Sequence, residues 1–237
     1  MGKRLKQQVR GKGTGRYRVP DTITKYKVEL PKSEKAYIGK VVDIIDDPVR
    51  TAVIAKIEYE GGIFYVPAAE GIYVGREIEI NGQTPKLGNI LKLENIPDGY
   101  YVYMIERRKL DGGKYIRSAG GYAIVLSRDE KGVYVKMPSR KVILFPKDAR
   151  AIVGVVSGGG YLDKPLVKAG NAYYRFRKLH RIWPRNRGVK MSPYDHPHGG
   201  KQHHEGKATT VSRNAAPGQK VGHIAARSTG RKKSKSS

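Results

Sequence analysis

The chain has 237 residues, with 47 lysines and arginines, 21 aspartates and glutamates and no cysteine, and its formal net charge is +26. This length allows one or two domains with a buried core. Without cysteine there is no disulfide framework, no thiolate zinc site and no thiol nucleophile. So large a positive charge is typical of proteins that bind a polyanion, and nucleic acid is the expected partner.

A membrane is not an expected partner. The sequence has no apolar stretch long enough to span a bilayer and no basic helix with a clear apolar face. Residues 1–10 carry positive charge without a following apolar stretch, so they do not resemble a secretory signal. We therefore expect the chain to stay in the cytoplasm.

The positive charge is concentrated at the two ends of the chain. Residues 1–36 hold 11 basic and 3 acidic side chains, residues 37–160 hold 18 and 15, and residues 161–237 hold 18 and 3. Leu, Ile, Val and Phe number only 10 of the last 77 residues, which is too few for an independent core. We therefore predict a folded body between a basic N-terminal arm and a basic C-terminal extension, both of which become ordered on their partner.

The N-terminal arm, residues 1–36, contains a stretch in which glycines alternate with cations, from Arg10 to Arg18. Backbone amides and guanidinium groups in such a stretch approach phosphates closely. A solvated tail is the alternative interpretation. A nucleotide-binding loop is not expected, because no strand precedes these glycines and Pro20 follows them.

The body is predicted to be mostly β, because short apolar stretches alternate with turn residues and no long stretch has a helical period. In residues 53–60 the apolar side chains face one way and the charged ones the other. Gly61-Gly62 then predicts a hairpin into residues 63–66. Further strands are expected at residues 101–105, 122–126, 133–137, 142–145 and 152–156.

Spacing of about ten residues between turns indicates small barrels. The turn-rich segment 81–89 is the expected boundary between two of them, residues 37–88 and residues 89–160. Glycines 158–160 follow the last strand, where they cradle a phosphate or form a hinge, and a hinge is the simpler interpretation.

The C-terminal extension, residues 161–237, mixes aromatic and cationic side chains over residues 173–183. Such a mixture stacks on unpaired bases and neutralises phosphates. A small core helix is the alternative, but it would not carry cations on nearly every face.

Histidines cluster in residues 195–198 and 202–205, each beside a carboxylate. A metal site or an acid–base pair is conceivable there. However, the prolines and paired glycines do not provide the regular elements on which zinc ligands are held, and no nucleophile or oxyanion donor is recognisable. Hydrogen bonding of these histidines to RNA needs fewer assumptions.

Residues 187–200 read Arg-Gly-Val-Lys-Met-Ser-Pro-Tyr-Asp-His-Pro-His-Gly-Gly. This stretch closely resembles the signature of the universal ribosomal protein two family of the large ribosomal subunit. Similar motifs are distributed along nearly the whole chain, at Asp47-Pro48-Val49-Arg50 and at residues 67–71, 118–120, 150–154, 168–170 and 213–218. Lys190, Ser192 and Tyr194 differ from the bacterial pattern, so the sequence looks more archaeal or eukaryotic.

The resemblance implies an all-β fold, in which an OB-fold barrel is followed by an SH3-like barrel and both ends are long irregular basic extensions. It implies a non-enzymatic constituent of the cytoplasmic ribosome that binds large-subunit rRNA and supports subunit assembly, subunit association and the peptidyl-transferase region. Neighbouring large-subunit proteins and small-subunit rRNA are the further implied partners. Asp195 and His196 match a loop that approaches the RNA catalytic centre in this family.

The side chains expected to contact rRNA are cations and histidines of the two ends: Arg10, Lys12, Arg16, Arg18, Lys168, Arg175, Arg177, Lys178, Arg181, Arg185, Arg187, Lys190, His196, His198, Lys201, Arg213, Lys220, Arg227 and Arg231. No catalytic residue, protein-bound metal or cofactor is expected, although magnesium ions that bridge to RNA are compatible with the sequence. A regulatory protein that binds nucleic acid nonspecifically is the alternative function.

Overall fold

The computed structural model describes residues 2–23, 26–200, 204 and 206–226. The chain divides into two compact units. We call residues 21–167 the β body, and residues 1–20 together with 168–237 the arm unit.

The β body contains the strands β1 (Tyr37–Ile45), β2 (Ile54–Tyr59), β3 (Gly62–Pro67), β4 (Glu77–Gly82), β5 (Ile90–Lys92), β6 (Tyr101–Tyr103), β7 (Ala123–Asp129), β8 (Gly132–Lys136), β9 (Val142–Phe145) and β10 (Arg150–Val153). The arm unit contains the helices α1 (Lys6–Gly11) and α2 (Ala169–Lys178) and the short strands β11 (Thr210–Val211) and β12 (His223–Ile224). Single 3-10 turns lie at Gly15–Tyr17, Leu93–Asn95 and Gly188–Lys190.

The strands of the body form one continuous sheet in the order β3-β2-β1-β4-β5-β10-β6-β7-β8-β9. Neighbouring strands are antiparallel except β4 and β5, which run parallel. A register shift between Val41 and Asp43 marks a bulge in β1, and such bulges bend a strand and help a sheet to curl. The predicted all-β class is confirmed.

The sheet surrounds two buried apolar clusters. The first includes Val41, Ile57 and Ile80 from β1, β2 and β4. The second includes Val125 and Val135 from β7 and β8. Because successive side chains of a strand point to opposite faces, the alternating sequence of these strands buries one face in a cluster and leaves the other to solvent.

The hairpin predicted at Gly61-Gly62 is present. Antiparallel β2 and β3 pair from Ile54 with Pro67 to Tyr59 with Gly62. Gly62 has a φ of +117°, a backbone conformation that glycine adopts without steric cost.

Two predicted strands end earlier than expected. β6 stops at Tyr103 because Met104 has a φ of +51°, and Ile105 makes only an isolated bridge to Tyr115. β10 runs from Arg150 to Val153 instead of 152–156. Positive φ angles break the extended path of a strand, and alternation of apolar residues does not reveal them.

Two of the residues before β1 belong to the first cluster. Val28 and Leu30 are buried there, and Val28 bridges to Tyr65 of β3. The domain limits at 36, 88 and 160 stay predictions, but the ordered body includes apolar residues that the charge count of 1–36 had placed in an arm.

Candidate RNA interface

The two units differ sharply in charge. The arm unit contains 24 of the 47 lysines and arginines and only two carboxylates, Asp195 and Glu205, which gives a net +22. The β body, with 23 basic and 19 acidic side chains, has a net +4. The positive potential that attracts a polyanion is therefore concentrated in the arm unit.

The N-terminal residues and the C-terminal segment pack together within the arm unit. The Lys3 N–H donates to the Tyr194 carbonyl (2.9 Å), and the Lys3 ammonium lies 3.4 Å from Asp195 Oδ1. His180 Nδ1 lies 3.3 Å from the Gly15 carbonyl oxygen. The two ends, which the sequence suggested as separate arms, thus form one site.

Short local interactions order the start of the chain. Leu5 is buried, and its N–H donates to Gln8 Oε1 (2.9 Å) at the start of α1. This side-chain cap satisfies one of the backbone donors that a helix leaves free at its N-terminus. α1 therefore presents its cations beside the cleft described next.

An open cleft of about 780 Å³ lies between these segments of the arm unit. The cations along it are Lys3, Arg4, Lys6, Arg10, Arg181, Arg185 and Lys190, and Asp195 is the one carboxylate in its lining. Among the described residues, the structure thus collects four predicted RNA-contacting cations and three that the sequence did not single out. Cations on opposite walls of one groove are suited to follow a phosphate backbone.

The loop of residues 187–200 is held in shape by its own hydrogen bonds. The Gly200 N–H donates to the Met191 carbonyl (3.1 Å), and the His196 N–H donates to the Ser192 carbonyl (3.1 Å). A Cβ on Gly199 would collide with the Ser192 carbonyl oxygen. Glycine at 199 is therefore required by the close approach of two backbone segments.

His196 is oriented by its neighbours. Its Nδ1 accepts a hydrogen bond from the His198 N–H (3.1 Å), so the neutral ring carries its proton on Nε2. Gly188 lies directly against the ring, with no room for a Cβ. Burial, and secondarily the charge of His198, lowers the pKa of His196. At neutral pH the side chain is thus an uncharged hydrogen-bond donor.

Behind this loop is a second, smaller pocket of about 540 Å³. Its lining includes His196, His198, His204, His223 and the cations Arg187 and Lys190. His198 is buried, and its ring lies 5.1 Å from that of His196, edge to face. In the described part of the chain, no three histidine, aspartate or glutamate side chains are arranged to hold a metal ion.

The aromatic segment of the extension is helical, yet it is not a core helix. α2 follows Lys168 and buries only Ala172, while Tyr173 and Tyr174 are exposed. Phe176 stacks on Trp183 beyond the helix end, with ring centroids 6.2 Å apart. The predicted RNA contacts Arg175, Arg177 and Lys178 occupy the last turn, where cations also complement the helix dipole.

Other predicted contacts are spread over the surface of the arm unit. Lys12, Arg16, Arg18, Arg213 and Lys220 are exposed and lie outside the lining of both cavities. Lys201, Arg227 and Arg231 lie outside the described residues, as do Gln202, His203 and Glu205 of the second histidine cluster.

Arg50 and Arg117 of the β body were not among the predicted RNA contacts. The Arg117 guanidinium donates to the carbonyls of Val28 and Gly113 (3.2 and 3.3 Å). Partial burial, and secondarily the charge of Arg50, lowers the Arg117 pKa. Arg50 is already paired with the buried carboxylate of Asp47, and its charge acts on the Arg117 guanidinium.

Glycines border this arginine pair. The Ala119 N–H donates to Thr51 Oγ1 (3.1 Å), and a Cβ on Gly120 would lie 2.9 Å from the Cα of Gly159. The segments around Arg50, residues 118–120 and glycines 158–160 therefore meet at one place. Each of these segments has a glycine or a cation at the end of a strand, which the sequence alone reveals. That the segments lie together is a result of the fold.

No helix in the described residues is long and apolar enough to cross a membrane. An all-β body joined to a unit of net charge +22 defines an RNA-binding protein of the β-barrel type. Residues 3–80 match the RNA-binding N-terminal domain of the Ribosomal Proteins L2, and residues 86–222 match the C-terminal domain of the same proteins. The chain belongs to the ribosomal protein L2 family.

Curated relatives agree along the full length. The chain is 50% identical to the large ribosomal subunit protein uL2 of Hyperthermus butylicus over 98% of its own length and 100% of the relative. It is 47% identical to uL2 of Desulfurococcus amylolyticus with the same coverage, and 46% identical to uL2 of Sulfurisphaera tokodaii over 98% of this chain and 99% of the relative. The expected archaeal type is confirmed.

Membership of the ribosomal protein L2 family confirms further predictions. The N-terminal domain of this family is an OB-fold, and the SH3-like barrel expected after it stays a prediction. The protein is a structural, non-enzymatic constituent of the large ribosomal subunit and binds rRNA. A nonspecific regulatory nucleic-acid binder is not favoured.

Proposed function

We propose that the arm unit holds a strand of large-subunit rRNA in its cation-lined cleft, while the β body holds rRNA at Arg50 and Arg117. The observation that carries this proposal is the cleft itself, in which seven lysines and arginines face one carboxylate. That carboxylate, Asp195, already contacts Lys3 and Ser192, so it does not repel the incoming phosphates as a free charge does.

We propose that the loop of residues 187–200 supports the peptidyl-transferase region by positioning RNA. His196 offers an Nε2–H donor to a phosphate or ribose oxygen, and Lys190 and Arg187 supply charge beside it. The protein then contributes a fixed donor and the chemistry belongs to the RNA. Assembly and association of the subunits, with contacts to small-subunit rRNA and to neighbouring proteins, are part of the same proposal.

Magnesium ions are proposed as companions of the RNA. The cleft offers no free pair of carboxylates, and hard cations prefer oxygen ligands. Magnesium would therefore be held by RNA phosphates and water alongside the arm unit. No cofactor of the protein is proposed.

Sedimentation tests this function. Large subunits containing the full chain are washed at increasing salt, and the retained fraction is measured. An interaction of only 6 to 10 phosphate contacts weakens about a thousandfold to a hundred-thousandfold between 50 and 200 mM salt. Retention well above 200 mM therefore indicates shape-specific binding, and a mainly free pool of protein at low salt contradicts the proposal.

Variants separate the two RNA sites. Arg181→Gln with Arg185→Gln removes charge from the cleft, and Arg50→Gln with Arg117→Gln removes it from the body. Each pair is expected to lower retention and to expose rRNA nucleotides to chemical probing at different places. Arg107→Gln with Arg108→Gln, exposed on the body and outside both sites, is the matched control and should leave retention unchanged.

A further inference from the structure

One outer face of the sheet formed by β1 to β4 carries more carboxylates than cations, unlike the protein as a whole. Its side chains form a row across four strands: Ile63 of β3 pairs with Glu58 of β2, Glu58 with Lys40 of β1, and Lys40 with Glu77 of β4. In the adjacent outward row, Ile38 of β1 pairs with Glu79 of β4. We call Ile38, Lys40, Glu58, Ile63, Glu77 and Glu79 the carboxylate face.

The carboxylate face is unsuited to RNA. Glu58 and Glu77 flank the Lys40 ammonium, Glu79 lies in the adjacent row, and Lys56 pairs with Asp43 on the same side of the sheet. Carboxylates thus outnumber cations here, on a protein whose net charge is +26. Glu58 and Glu77 are exposed, and like charges in direct apposition disfavour a complex. The outer face of these strands is where OB-folds commonly bind nucleic acid. Here the excess of carboxylates on this face disfavours contact with phosphates.

The same face exposes apolar side chains. Ile38 is 69% exposed and Ile63 is 51% exposed. Next to β1, the Gly75 N–H donates to the Val41 carbonyl (2.7 Å), which brings the loop with exposed Tyr73 and Val74 beside the strand. Isolated exposed isoleucines are ordinary, but apolar side chains bordered by charged groups are typical of a protein interface.

We propose that the carboxylate face docks a lysine- and arginine-rich protein segment that carries apolar side chains. The isoleucines provide apolar contact area, and the exposed Glu58 and Glu77 pair with the cations of the partner. Glu79 is half-buried and accepts a hydrogen bond from the Thr84 N–H (3.3 Å), so it adds negative charge at the edge of the face. A basic protein extension fits both features, whereas RNA fits neither. This proposal rests on the proposed function, because the expected partner is another protein of the large subunit.

A photoreactive residue tests the occupant. Benzoylphenylalanine replaces Ile38 in the full chain, large subunits containing it are purified and irradiated, and the products are digested with ribonuclease before mass spectrometry. The expected product is a ribonuclease-resistant link to a lysine- and arginine-rich peptide of another protein. A link to RNA, a link to a second copy of this chain, or no macromolecular link overturns the proposal. The same probe at Leu162, which is 81% exposed and outside the face, is the control and should not yield that peptide.

Charge reversal tests the recognition. Glu58→Lys with Glu77→Lys is expected to lower the yield of the Ile38 link at least tenfold, because the partner is cationic. Glu130→Lys, an exposed glutamate in the turn between β7 and β8, should leave the yield unchanged. An unchanged yield after reversal on the face overturns the proposal. Co-sedimentation of the wild-type chain reports separately on the proposed function, so the two failures are distinguishable.

Discussion

Arg150 and Glu106 form a doubly hydrogen-bonded ion pair inside the β body. Arg150 Nη2 lies 2.7 Å from Glu106 Oε1, and Arg150 Nε lies 3.0 Å from Oε2. Both side chains are buried. The same guanidinium donates to the Pro31 carbonyl (2.8 Å) and to Asn81 Oδ1 (3.2 Å). One arginine thus joins the chain before β1, the end of β4 and the second half of the sheet.

Removal of one partner of this pair is expected to be strongly destabilising. Arg150→Ala leaves the Glu106 carboxylate buried without its counter-charge, which costs about 3–5 kcal/mol of unfolding free energy. Denaturant unfolding of the full chain, followed by circular dichroism, measures the loss. Lys109→Ala breaks an exposed pair with Glu34 and should have little effect on the unfolding free energy. Equal losses in the two variants would contradict a structural role for the buried pair.

Gly188 is expected to be essential for the position of His196. In Gly188→Ala the new methyl group occupies the place of the imidazole ring, so the ring moves and its Nε2–H no longer points as before. We expect full-length protein of nearly normal stability but altered chemical protection of rRNA around the loop. Gly170→Ala, in α2 with no atom within 4 Å of the added Cβ, is the control. If the chemical protection of rRNA is unaltered in Gly188→Ala, the close contact between Gly188 and the His196 ring is not needed to position the ring.

The loop should be sensitive to acid through His196. Burial and the charge of His198 hold its pKa below 6.5, so the unfolded chain binds this proton more readily than the folded chain. The folded loop therefore loses stability as the pH falls below about 6.5, and Nδ1 loses its role as acceptor for the His198 N–H. Titration of the ring protons by NMR measures the pKa, and a value above 6.5 contradicts the prediction. His196→Gln should weaken the pH dependence.

The arm unit is expected to be less resistant to proteases than the β body when RNA is absent. Among the described residues, the buried apolar side chains of the arm unit are Leu5, Ala172 and Val221, and all others belong to the body. So small a core provides little protection against local opening. Limited trypsin digestion of the free chain should leave a fragment that spans the body. Equal resistance of both units would show that the arm unit folds without RNA.

The sequence predicted what depends on local pattern. Alternation of apolar and charged residues identified the β2–β3 hairpin, and the glycines placed its turn. Interspersed cations and glycines predicted RNA contacts at the ends of the chain, and the structure gathers four of those cations in one cleft. The family signature identified the loop around His196.

Long-range contacts could not be predicted in this way. Nothing near Lys3 indicates that its backbone pairs with Tyr194, and nothing near Arg50 indicates that its charge acts on Arg117. Val28 and Leu30 were assigned to the N-terminal arm because residues 1–36 were grouped by their net charge. Net charge does not show that these two apolar side chains are buried in the body. The carboxylate face escaped notice for the same reason, since its glutamates come from different strands.

The pairing of Lys3 with Tyr194 has a consequence for the order of events during synthesis. Residues 2–20 leave the exit tunnel long before their partners in residues 168–226 exist. The β body, which lies between them in sequence, has its complete set of strands earlier. During that interval the first cations of the chain lack the protein segment with which they form the cleft.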